Sequence, residues 1–374
     1  MRIAMLGHKR IPSREGGVEI VVEELAVRMV EKGHEVTCYN RRGHHVSGKE
    51  FDSEQRGAYR GVALKTVPTM QRKGFAAMSA SFFAAIFAAV GKYDVVHFHA
   101  EGPCAMLWLP KLLGKRCIAT VHGLDHQRSK WGWLARNYIM LGEKCAVKCA
   151  DEIIVLSKNV QKYFMEKYGR KTLYVPNGMS SAALQEAQVI ENKLGLAAEK
   201  YILYLGRITP EKGIHYLIDA YKKLETGLKL VIAGGESDSV EYFSELKRRA
   251  AGCKDIIFTG FVQGRMLEEL YSNAFCYVLP SDLEGMPLSL LEALSYGNCC
   301  VVSDIQECLE VVGEKGVVFR KSDVRDLADK LEWVCKNMKI TPEYRKSIAE
   351  YARSRLSWDD VANRTLEIYK GING

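Results

Sequence analysis

The 374-residue sequence lacks a cysteine pattern typical of a disulfide framework or a zinc site. It has eleven cysteines, an odd number, and pairs such as Cys299/Cys300 and Cys145/Cys149 have spacings typical of core or helix-face thiols. We therefore expect a reducing compartment. Residues Met1–Gly7 run directly into a strand pattern, without a charged leader, an apolar stretch and a cleavage site in series, so we expect no secretory signal.

Long apolar runs and nucleic-acid signatures are also missing. The charge-free stretch Phe75–Val90 is shorter than the ~20 residues needed to cross a bilayer. It follows the basic segment Gln71–Gly74 and predicts either a buried helix or an interfacial helix that docks on lipid. A net charge of +8 attracts polyanions in general, but there is no long basic run, zinc-finger spacing or RNA-recognition signature. We therefore expect no nucleic-acid partner.

What the chain does contain is a repeated α/β pattern. Its length suits two domains, and 47% hydrophobic with 26% charged residues is typical of soluble globular proteins. Short β-rich runs alternate with longer amphipathic runs in both halves, which predicts two doubly wound parallel sheets. The predicted strands are Ile3–Leu6, Glu35–Tyr39, Val95–Phe98, Ile118–Val121, Ile153–Leu156, Leu173–Val175, Tyr201–Leu205, Lys229–Ala233, Ile256–Thr259, Cys276–Leu279 and Cys299–Val302.

The predicted boundary between the domains follows a turn-forming cluster. Val175–Gly178 contains Pro, Asn and Gly and precedes a polar stretch. We therefore expect one domain over residues 1–178 and a second over 179–355. Residues 356–374 form a last helix that begins at the N-cap Ser357 and returns to the first domain, although periodicity alone does not show this return.

The most informative segment is Ser281–Glu292, directly after a predicted strand. Pro287 suits the first position of a helix, because its missing N–H has no intrahelical partner there. The amides of Leu288 and Ser289 then point out of the helix end. Together with the helix dipole they predict an anion site.

Two carboxylates flank that predicted anion site. Glu284 precedes the helix and Glu292 lies inside it, so they have different roles, and carboxylates accept hydrogen bonds from sugar and ribose hydroxyls. The alternative is that Glu284 caps the helix and Glu292 forms a surface ion pair. Asp282 and Glu284 superficially resemble a metal-binding pair, but capping is the favoured interpretation of acidic residues where a helix opens.

A second segment, Gly206–Gly213, places two cations after the predicted strand Tyr201–Leu205. In open α/β sheets, ligands bind at the carboxyl edge of the strands. Arg207 and Lys212 together can balance a diphosphate, Arg by forked hydrogen bonds and Lys as a point charge. The alternative is two solvated surface cations.

A third segment is the glycine pair Gly16–Gly17, which precedes an apolar stripe at helical spacing. Without a Cβ, such a loop lets backbone approach a ligand closely, although most glycine pairs in such loops are turns. No G-x-G-x-x-G follows the first strand, so an ordinary dinucleotide fingerprint is missing. The stripe residues are Val18, Val21, Val22, Leu25 and Met29.

Together these segments resemble the family 4 glycosyltransferases of the GT-B fold, of the bacterial cell-surface polysaccharide type. The resemblance runs essentially from end to end, and the combination is specific although no single motif is. The matching features are the Glu-seven residues-Glu pattern of Glu284 and Glu292, the Gly-Arg-x-x-x-Glu-Lys-Gly segment Gly206–Gly213, the Gly16–Gly17 loop, Thr120–Gly123 and Val175–Gly178.

The resemblance implies an α/β enzyme of two Rossmann-like domains facing a central cleft. The amino-terminal domain would bind the acceptor, and the carboxy-terminal domain would bind a UDP-, GDP- or dTDP-linked sugar. Such enzymes retain the anomeric configuration and need neither a metal ion nor a cofactor.

The resemblance also implies roles for individual residues. Arg207 and Lys212 would hold the diphosphate, Glu292 the ribose, and Glu284 the donor sugar, while His122 would lie beside the transferred sugar. The catalytic set is therefore His122, Glu284, Arg207 and Lys212. Backbone contacts would come from Gly16 and Gly17 to the phosphates, from Gly285, Met286, Pro287 and Leu288 to the sugar, and from Phe261 and Val262, in the loop Gly260–Gln263, to the base.

Two histidine-rich places have more than one interpretation. His97 and His99 share one face of a predicted strand, but no third metal ligand is apparent, so we favour a structural or acceptor-binding role over zinc. A later cluster mixes cations with aromatics, as membrane-surface and glycan sites do and as ordinary surface helices also do. Its members are His126, Arg128, Lys130, Trp131, Trp133 and Arg136.

The sequence thus predicts a cytoplasmic glycosyltransferase that acts on a glycan or lipid-linked acceptor, free or at the inner membrane face. One alternative is a nucleotide-sugar epimerase of the same fold, which would form product from the nucleotide sugar alone. Another is a non-catalytic two-lobed ligand-binding protein. Such proteins are often exported, and the two phosphate-ready loops favour an enzyme instead.

Overall fold

The computed structural model describes residues 1–45, 48, 57–72, 74–128, 131–235, 240–355 and 357–372. It divides into two compact units. Unit 1 comprises Met1–Gly178 with Leu356–Gly374, and unit 2 comprises Met179–Arg355. Each unit is an α/β structure around its own sheet, as the sequence predicts. Lys73 and Lys130, in the basic segments named above, lie outside the described residues.

Unit 1 is built on an eight-stranded sheet with the order β3-β4-β2-β1-β5-β6-β7-β8. All neighbouring strands run parallel except β3 and β4. The strands are β1 Arg2–Leu6, β2 Glu35–Arg41, β3 Ala58–Tyr59, β4 Val62–Val67, β5 Val95–His99, β6 Arg116–Val121, β7 Glu152–Val155 and β8 Leu173–Tyr174. Its helices are α1 Gly17–Glu31, α2 Phe75–Val90, α3 Trp108–Leu112, α4 Trp133–Cys149, α5 Lys158–Tyr168 and, at the carboxy terminus, α14 Trp358–Lys370.

Unit 2 has a six-stranded parallel sheet with the order β11-β10-β9-β12-β13-β14. Its strands are β9 Tyr201–Leu205, β10 Lys229–Ala233, β11 Ile256–Gly260, β12 Cys276–Leu279, β13 Cys299–Ser303 and β14 Val317–Phe319. Its helices are α6 Val189–Leu194, α7 Ile214–Tyr221, α8 Val240–Ala250, α9 Gly264–Ser272, α10 Leu288–Ser295, α11 Gln306–Val312, α12 Val324–Asn337 and α13 Pro342–Arg353.

Every predicted strand is present, and three further strands appear. Parallel strands covered on both faces are continuous apolar runs, as in β9 and β12, and such runs are visible in a sequence. The additional strands are β3, β4 and β14. The first has two residues, β4 is exposed at its centre, and β14 has three residues, so neither periodicity nor hydrophobicity marks them.

The core of unit 1 explains why the predicted stripe forms a helix. In α1, Val21, Val22, Leu25 and Met29 are buried, which is the face expected from their spacing. The helix α14 packs on α1, and its N-cap Ser357 forms a capping box with Asp360. All eleven cysteines lie in the described part of the chain, and none of them forms a disulfide.

Helix α2 has a buried face and an exposed apolar face. Small residues such as Ala84 and Ala88 form the buried face, while Phe75, Phe82 and Val90 are 54%, 42% and 72% exposed. The helix is therefore buried on one face only, and whether its exposed face contacts lipid stays a prediction. No helix in the described ranges combines the length and hydrophobicity that crossing a membrane requires.

A buried imidazole cluster links three elements of unit 1. His97 on β5 lies with Nδ1 2.6 Å from the hydroxyl of Tyr369 on α14 and with Nε2 2.7 Å from Oγ1 of Thr120 on β6. The rings of His97 and His99 are 4.1 Å apart, so they share one face as predicted. Nδ1 of His99 is 3.1 Å from Nε2 of His122, the first residue after β6.

These imidazoles stay neutral in the folded protein. Burial, helped by repulsion from His122, lowers the pKa of His97 to about 3. Burial also lowers the pKa of His122 to about 4, against the opposing effect of the Asp125 and Glu19 charges. The pKa of His99 is lowered for the same primary reason.

We expect unit 1 to lose stability as the pH falls from 6.5 to 5. Over this range the unfolded chain takes up protons on these imidazoles and the folded chain does not, so the free energy of unfolding decreases with falling pH. His97 alone contributes about 2 kcal/mol across this window. Urea unfolding followed by tryptophan fluorescence measures the effect, because Trp108, Trp131, Trp133 and Trp358 belong to unit 1 and only Trp333 to unit 2.

The matched controls are two histidine substitutions. His97→Gln should flatten the dependence on pH, whereas His44→Gln, at an exposed position, should leave it unchanged. Equal unfolding free energies at pH 6.5 and pH 5 in the wild-type chain would contradict this account.

Candidate functional site: a donor site in unit 2

The predicted donor residues lie at the topological switch point of the unit 2 sheet. Strand order reverses between β9 and β12, which pair side by side, and the loop after each strand carries one predicted segment. The two loops touch at Gly213, where φ is +64°. A Cβ added there would lie 2.0 Å from the carbonyl oxygen of Pro280, so only glycine permits this approach. Crevices of this kind are where α/β sheets bind ligands.

An ion pair joins the two loops. Nζ of Lys212 lies 2.6 Å from Oε1 of Glu284, and the two side chains are 12% and 6% exposed. The hydroxyl of Ser281 donates to the same carboxylate oxygen at 2.6 Å. Because Glu284 is held in this way, the alternative in which it caps the following helix is wrong.

Arg207 occupies a different environment from Lys212. It follows β9 after one residue, its carbonyl oxygen accepts a hydrogen bond of 2.8 Å from the hydroxyl of Tyr204, and it is half-buried. Its guanidinium forms no ion pair with an acidic side chain in the described ranges. The loop therefore presents two different cations. Lys212 is ion-paired with a carboxylate, whereas Arg207 forms no ion pair with an acidic side chain of the described ranges.

Helix α10 begins one residue later than predicted. Pro287 is the N-cap, with extended backbone, and Leu288 is the first helical residue. The carbonyl oxygen of Pro287 accepts hydrogen bonds from the amides of Leu290 and Leu291, which leaves the amides of Leu288 and Ser289 without intrahelical acceptors. Pro287 thus still precedes a helix end suited to an anion, with Gly285 and Met286 just before it.

Asp282 does not cap this helix, so the predicted capping role is wrong. Its Oδ1 accepts from the hydroxyl of Ser322 at 2.7 Å, its Oδ2 accepts from the hydroxyl of Tyr216 at 3.2 Å, and its amide donates to the carbonyl oxygen of Glu211. Four residues separate Asp282 from the N-cap Pro287, and the hydrogen bonds of Asp282 tie the loop to its surroundings.

Glu292 lies on the second turn of α10 and is partly buried. Its Oε2 accepts a hydrogen bond of 3.2 Å from the hydroxyl of Tyr271 on α9. The hydroxyl of Tyr277 on β12 donates to Oγ of Ser289 at 2.8 Å. Burial raises the pKa of Tyr277 well above its usual value, so this hydroxyl remains a donor. These tyrosines fix the orientation of α10.

The remaining predicted unit 2 residues follow β11. Phe261 is half-buried and Val262 is buried, in the loop after the third strand from the switch point. The predicted donor residues of unit 2 therefore lie in three loops at the carboxyl edge of one sheet and on helix α10, which follows one of these loops. The structure brings Lys212 and Glu284 into contact and places Arg207, Phe261, Val262 and Glu292 on neighbouring elements.

The predicted residues of unit 1 lie at the carboxyl edge of its own sheet. Gly16 is the N-cap of α1, Gly17 is its first residue, and Oε1 of Glu19 on the same helix accepts from the amide of Lys9. The segment after His122 is held by Glu101, whose Oε2 accepts from the amide of Asp125 at 2.8 Å.

Sequence reasoning missed several supporting side chains of unit 2. Ser281, Tyr271 and Tyr277 hold the two carboxylates and α10 in place, but serines and tyrosines carry no charge pattern and no fixed spacing. The one available signal is their polarity within otherwise apolar elements, since Tyr271 and Tyr277 sit among buried residues.

Comparison with known proteins gives consistent matches over both halves. The family described as Glycosyl transferases group 1 matches residues 187–355, and Glycosyltransferase Family 4 matches residues 15–182. An uncharacterized glycosyltransferase of Methanocaldococcus jannaschii is 27% identical over 99% of this chain and 98% of that protein. The O-antigen chain mannosyltransferase B of Escherichia coli is 30% identical over 50% of this chain and 49% of that protein.

The fold also matches a solved structure. The Anabaena protein HepE, crystallised with UDP and glucose, has a TM-score of 0.80 at 16% identity, with 99% of this chain and 100% of that chain covered. At this identity the likeness shows the fold. Since the two family matches span most of the sequence and the two units have this architecture, the chain belongs to the group 1, family 4 glycosyltransferases of the GT-B fold.

Proposed function

We propose that this glycosyltransferase moves a sugar from a nucleoside-diphosphate donor to a glycan or lipid-linked acceptor in the synthesis of a cell-surface polysaccharide. We further propose that it retains the anomeric configuration and needs no divalent metal at the donor site. The observation that carries the proposal is the buried Lys212–Glu284 ion pair beside Arg207 and the amino end of α10.

Lys212 is suited to bind phosphate without leaving its partner. An ammonium group has three N–H donors, and the contact with Glu284 uses one of them. The other two are available to phosphate oxygens, while Glu284 keeps the ammonium charged and in place. Arg207 supplies a forked donor to the same diphosphate.

These cations stabilise the charge that develops during transfer. As the bond from the anomeric carbon to the phosphate oxygen breaks, the electron pair and a negative charge move to the leaving diphosphate. The acceptor hydroxyl oxygen forms the new bond to the anomeric carbon, and its proton passes to an oxygen of the leaving diphosphate. Cations and helix amides that are fixed beforehand lower the barrier, because they need no reorganisation. A metal ion is then not required to stabilise the negative charge on the leaving diphosphate.

The other donor roles are proposed from position and from the family resemblance. Glu292 would accept from the ribose hydroxyls, and Glu284 with the backbone of Gly285, Met286, Pro287 and Leu288 would bind the sugar. Phe261 and Val262 would contact the base, Gly16 and Gly17 the phosphates, and His122 the transferred sugar. The Anabaena protein binds UDP and glucose, which supports testing UDP-linked sugars first.

The acceptor side is proposed to contact the inner membrane face. Two neighbouring helices of unit 1, α2 and α3, expose large apolar side chains, among them Phe82, Val90 and Leu112. Exposed cations lie just before and just after α2, at Arg72 and Lys92. Apolar side chains between cations suit an anionic lipid surface. The mannosyltransferase of O-antigen chains among the relatives supports a glycan or lipid-linked acceptor.

Removing either cation should strongly weaken recognition of the donor. We expect Arg207→Ala and Lys212→Ala each to lower kcat/KM by about 100-fold, because each loses a contact to the developing charge. A thermal-shift panel of nucleoside diphosphates and their sugars identifies the donor, since a ligand of the native state raises the Tm, and that rise should disappear in both variants.

Lys223→Ala is the matched control, because Lys223 is an exposed lysine on the same unit, and it should behave like the wild-type chain.

Adding Mg²⁺ or Mn²⁺ should not raise the rate of sugar transfer. Proton NMR of the product reads its anomeric configuration directly, and incubation with the nucleotide sugar alone separates transfer from epimerisation. A strict need for added metal, or unchanged kinetics in both variants, would refute the donor-site proposal.

We expect Glu292 to determine how much the ribose of the donor contributes to donor binding. We expect Glu292→Gln to raise KM for the donor about tenfold, since a hydrogen bond to a charged acceptor contributes roughly 1.5–3 kcal/mol. The diagnostic control is a 2′-deoxy donor. The wild-type chain should bind the 2′-deoxy donor less tightly than the intact donor, whereas Glu292→Gln should bind the two donors equally tightly. Equal losses in both proteins would place the ribose elsewhere.

The exposed face of α2 should determine lipid binding. In flotation with vesicles containing phosphatidylglycerol, we expect Phe82→Ser to lower the bound fraction about tenfold, because burying such a side chain contributes roughly 1.5–3 kcal/mol. Trp333→Ser in unit 2 removes an apolar side chain that is 50% exposed, compared with 42% for Phe82, and should have no effect. A wild-type chain that remains unbound to both neutral and anionic vesicles would exclude the membrane contact.

A further inference from the structure

Unit 1 contains a group of potential metal ligands that takes no part in the proposed donor chemistry. Glu101, His126 and Glu143 each offer one ligand atom, and these atoms all lie within 4.8 Å of one another. Nδ1 of His126 is 3.5 Å from Oε2 of Glu143 and 3.9 Å from Oε2 of Glu101. Both carboxylate side chains are fully buried, and the His126 side chain is 13% exposed.

The chain brings three separate elements together to form this group. Glu101 precedes a short 3₁₀ helix after β5, His126 lies on a 3₁₀ turn after β6, and Glu143 lies on α4. Beside Glu143, a Cβ added at Gly142 would lie 2.0 Å from the carbonyl oxygen of Glu101. Glycine at this position therefore allows α4 to approach the loop closely enough for the two carboxylates to meet.

Side chains of α5 surround this group and form hydrogen bonds with Glu143 and a longer contact with His126. Oε1 of Glu143 accepts from Nζ of Lys167 at 2.9 Å and from the hydroxyl of Tyr168. Nε2 of His126 is 3.5 Å from the hydroxyl of Tyr163, which also donates to Glu143. Hydrogen bonds of this kind, on the sides of ligands that face away from the metal, orient ligands in protein metal sites.

The inner atoms, in contrast, lack a fixed hydrogen-bond partner. Oε1 of Glu101 and Nδ1 of His126 are buried and have no partner in the described ranges while both carboxyl groups are ionised. Burial and the neighbouring acidic groups raise the pKa of Glu101, so in the absence of another positive charge a proton shared with Glu143 is the available bridge. A buried polar atom without a partner costs free energy, and two adjacent buried carboxylates repel each other unless a positive charge lies between them. Lys167 offsets one carboxylate and approaches it from the outer side.

We propose that Glu101, His126 and Glu143 bind one divalent transition-metal ion of the Zn²⁺ type. One imidazole nitrogen and two carboxylate oxygens are a ligand set that suits zinc, with the fourth position left to water, whereas Mg²⁺ and Ca²⁺ prefer oxygen ligands alone. With zinc–ligand bonds of roughly 2.0–2.2 Å, tetrahedral ligands lie roughly 3.3–3.6 Å apart. The separations of 3.5 and 3.9 Å between Nδ1 of His126 and the two carboxylates therefore need little closure.

The ion would fasten the segment after His122 to α4. This segment runs from β6 to α4, and apart from the ion its described ties to the group are the hydrogen bond from the amide of Asp125 to Glu101 and the contact of His126 with Tyr163. A bound ion would add a ligand bond directly to His126. The proposal is independent of the donor chemistry of unit 2, and its tests do not use activity.

The first test is metal binding by the purified, untagged full chain after removal of metal with a chelator. Titration of Zn²⁺ against a chromophoric competitor should show one tight equivalent per chain, and Zn²⁺ should raise the Tm, because it binds the folded chain. His126→Ala should lose both responses. Its fold should survive, since the only hydrogen bond of the His126 ring to described residues is the long contact with Tyr163.

The second test identifies the ligands. Co²⁺ in place of Zn²⁺ should give a spectrum without a thiolate charge-transfer band, which excludes binding by any of the eleven cysteines. Glu101→Gln should weaken binding by at least tenfold, as expected for loss of one ligand. His34→Ala is the matched control and should bind like the wild-type chain. If His126→Ala binds Zn²⁺ as tightly as the wild-type chain, or if the wild-type chain binds none, a proton alone bridges the carboxyl groups and the proposal is wrong.

Discussion

The buried ion pair between Lys212 and Glu284 is the constraint on which the loops at the switch point of unit 2 depend. It joins the loops after β9 and β12, where the order of the strands reverses, and Gly213 lets those loops touch. An ammonium group taken out of water needs a partner, and the carboxylate supplies it before any ligand arrives. The pair therefore stabilises the loops and keeps a charged ammonium group at the carboxyl edge of the sheet.

The surroundings of the pair show how a parallel sheet prepares such a site. Side chains from buried elements hold the loops from beneath, as Ser281 holds Glu284 and as Tyr271 and Tyr277 hold α10. Their rotamers are limited by packing, so the polar groups above them have little freedom to lose when a ligand binds. The family comparison agrees with this architecture, since each half of the chain matches its own glycosyltransferase family.

Much of the fold was predictable, because the spacing of apolar residues along the chain indicates which residues of a helix or strand are buried. The stripe in α1 and the apolar runs of β9 and β12 mark their elements directly, whereas the exposed centre of β4 and the three residues of β14 do not. For the site, charge and position identified Lys212 and Glu284 as residues of interest. Their contact joins residues 72 positions apart and depends on two loops meeting, which no local pattern records. Glu101 and Glu143 were not identified for the same reason, because they come together only in the folded chain. The hydrogen bonds of Asp282 to Ser322 and Tyr216 are also long-range, so the local pattern indicated a capping role instead.

The helix α14 has a consequence for how the protein is made. Tyr369, which meets Nδ1 of His97, is 272 residues farther along the chain, and all of unit 2 is translated between them. On the ribosome, unit 2 can therefore complete its sheet while unit 1 still has an open groove beside α1 and a buried imidazole without its hydroxyl. Closure of such long-range contacts is slow, and the interval is when incomplete chains expose apolar surface. Helix α14 thus completes a domain whose other elements are made before unit 2, and nascent chains that stop before α14 should depend on chaperones more than chains that contain it.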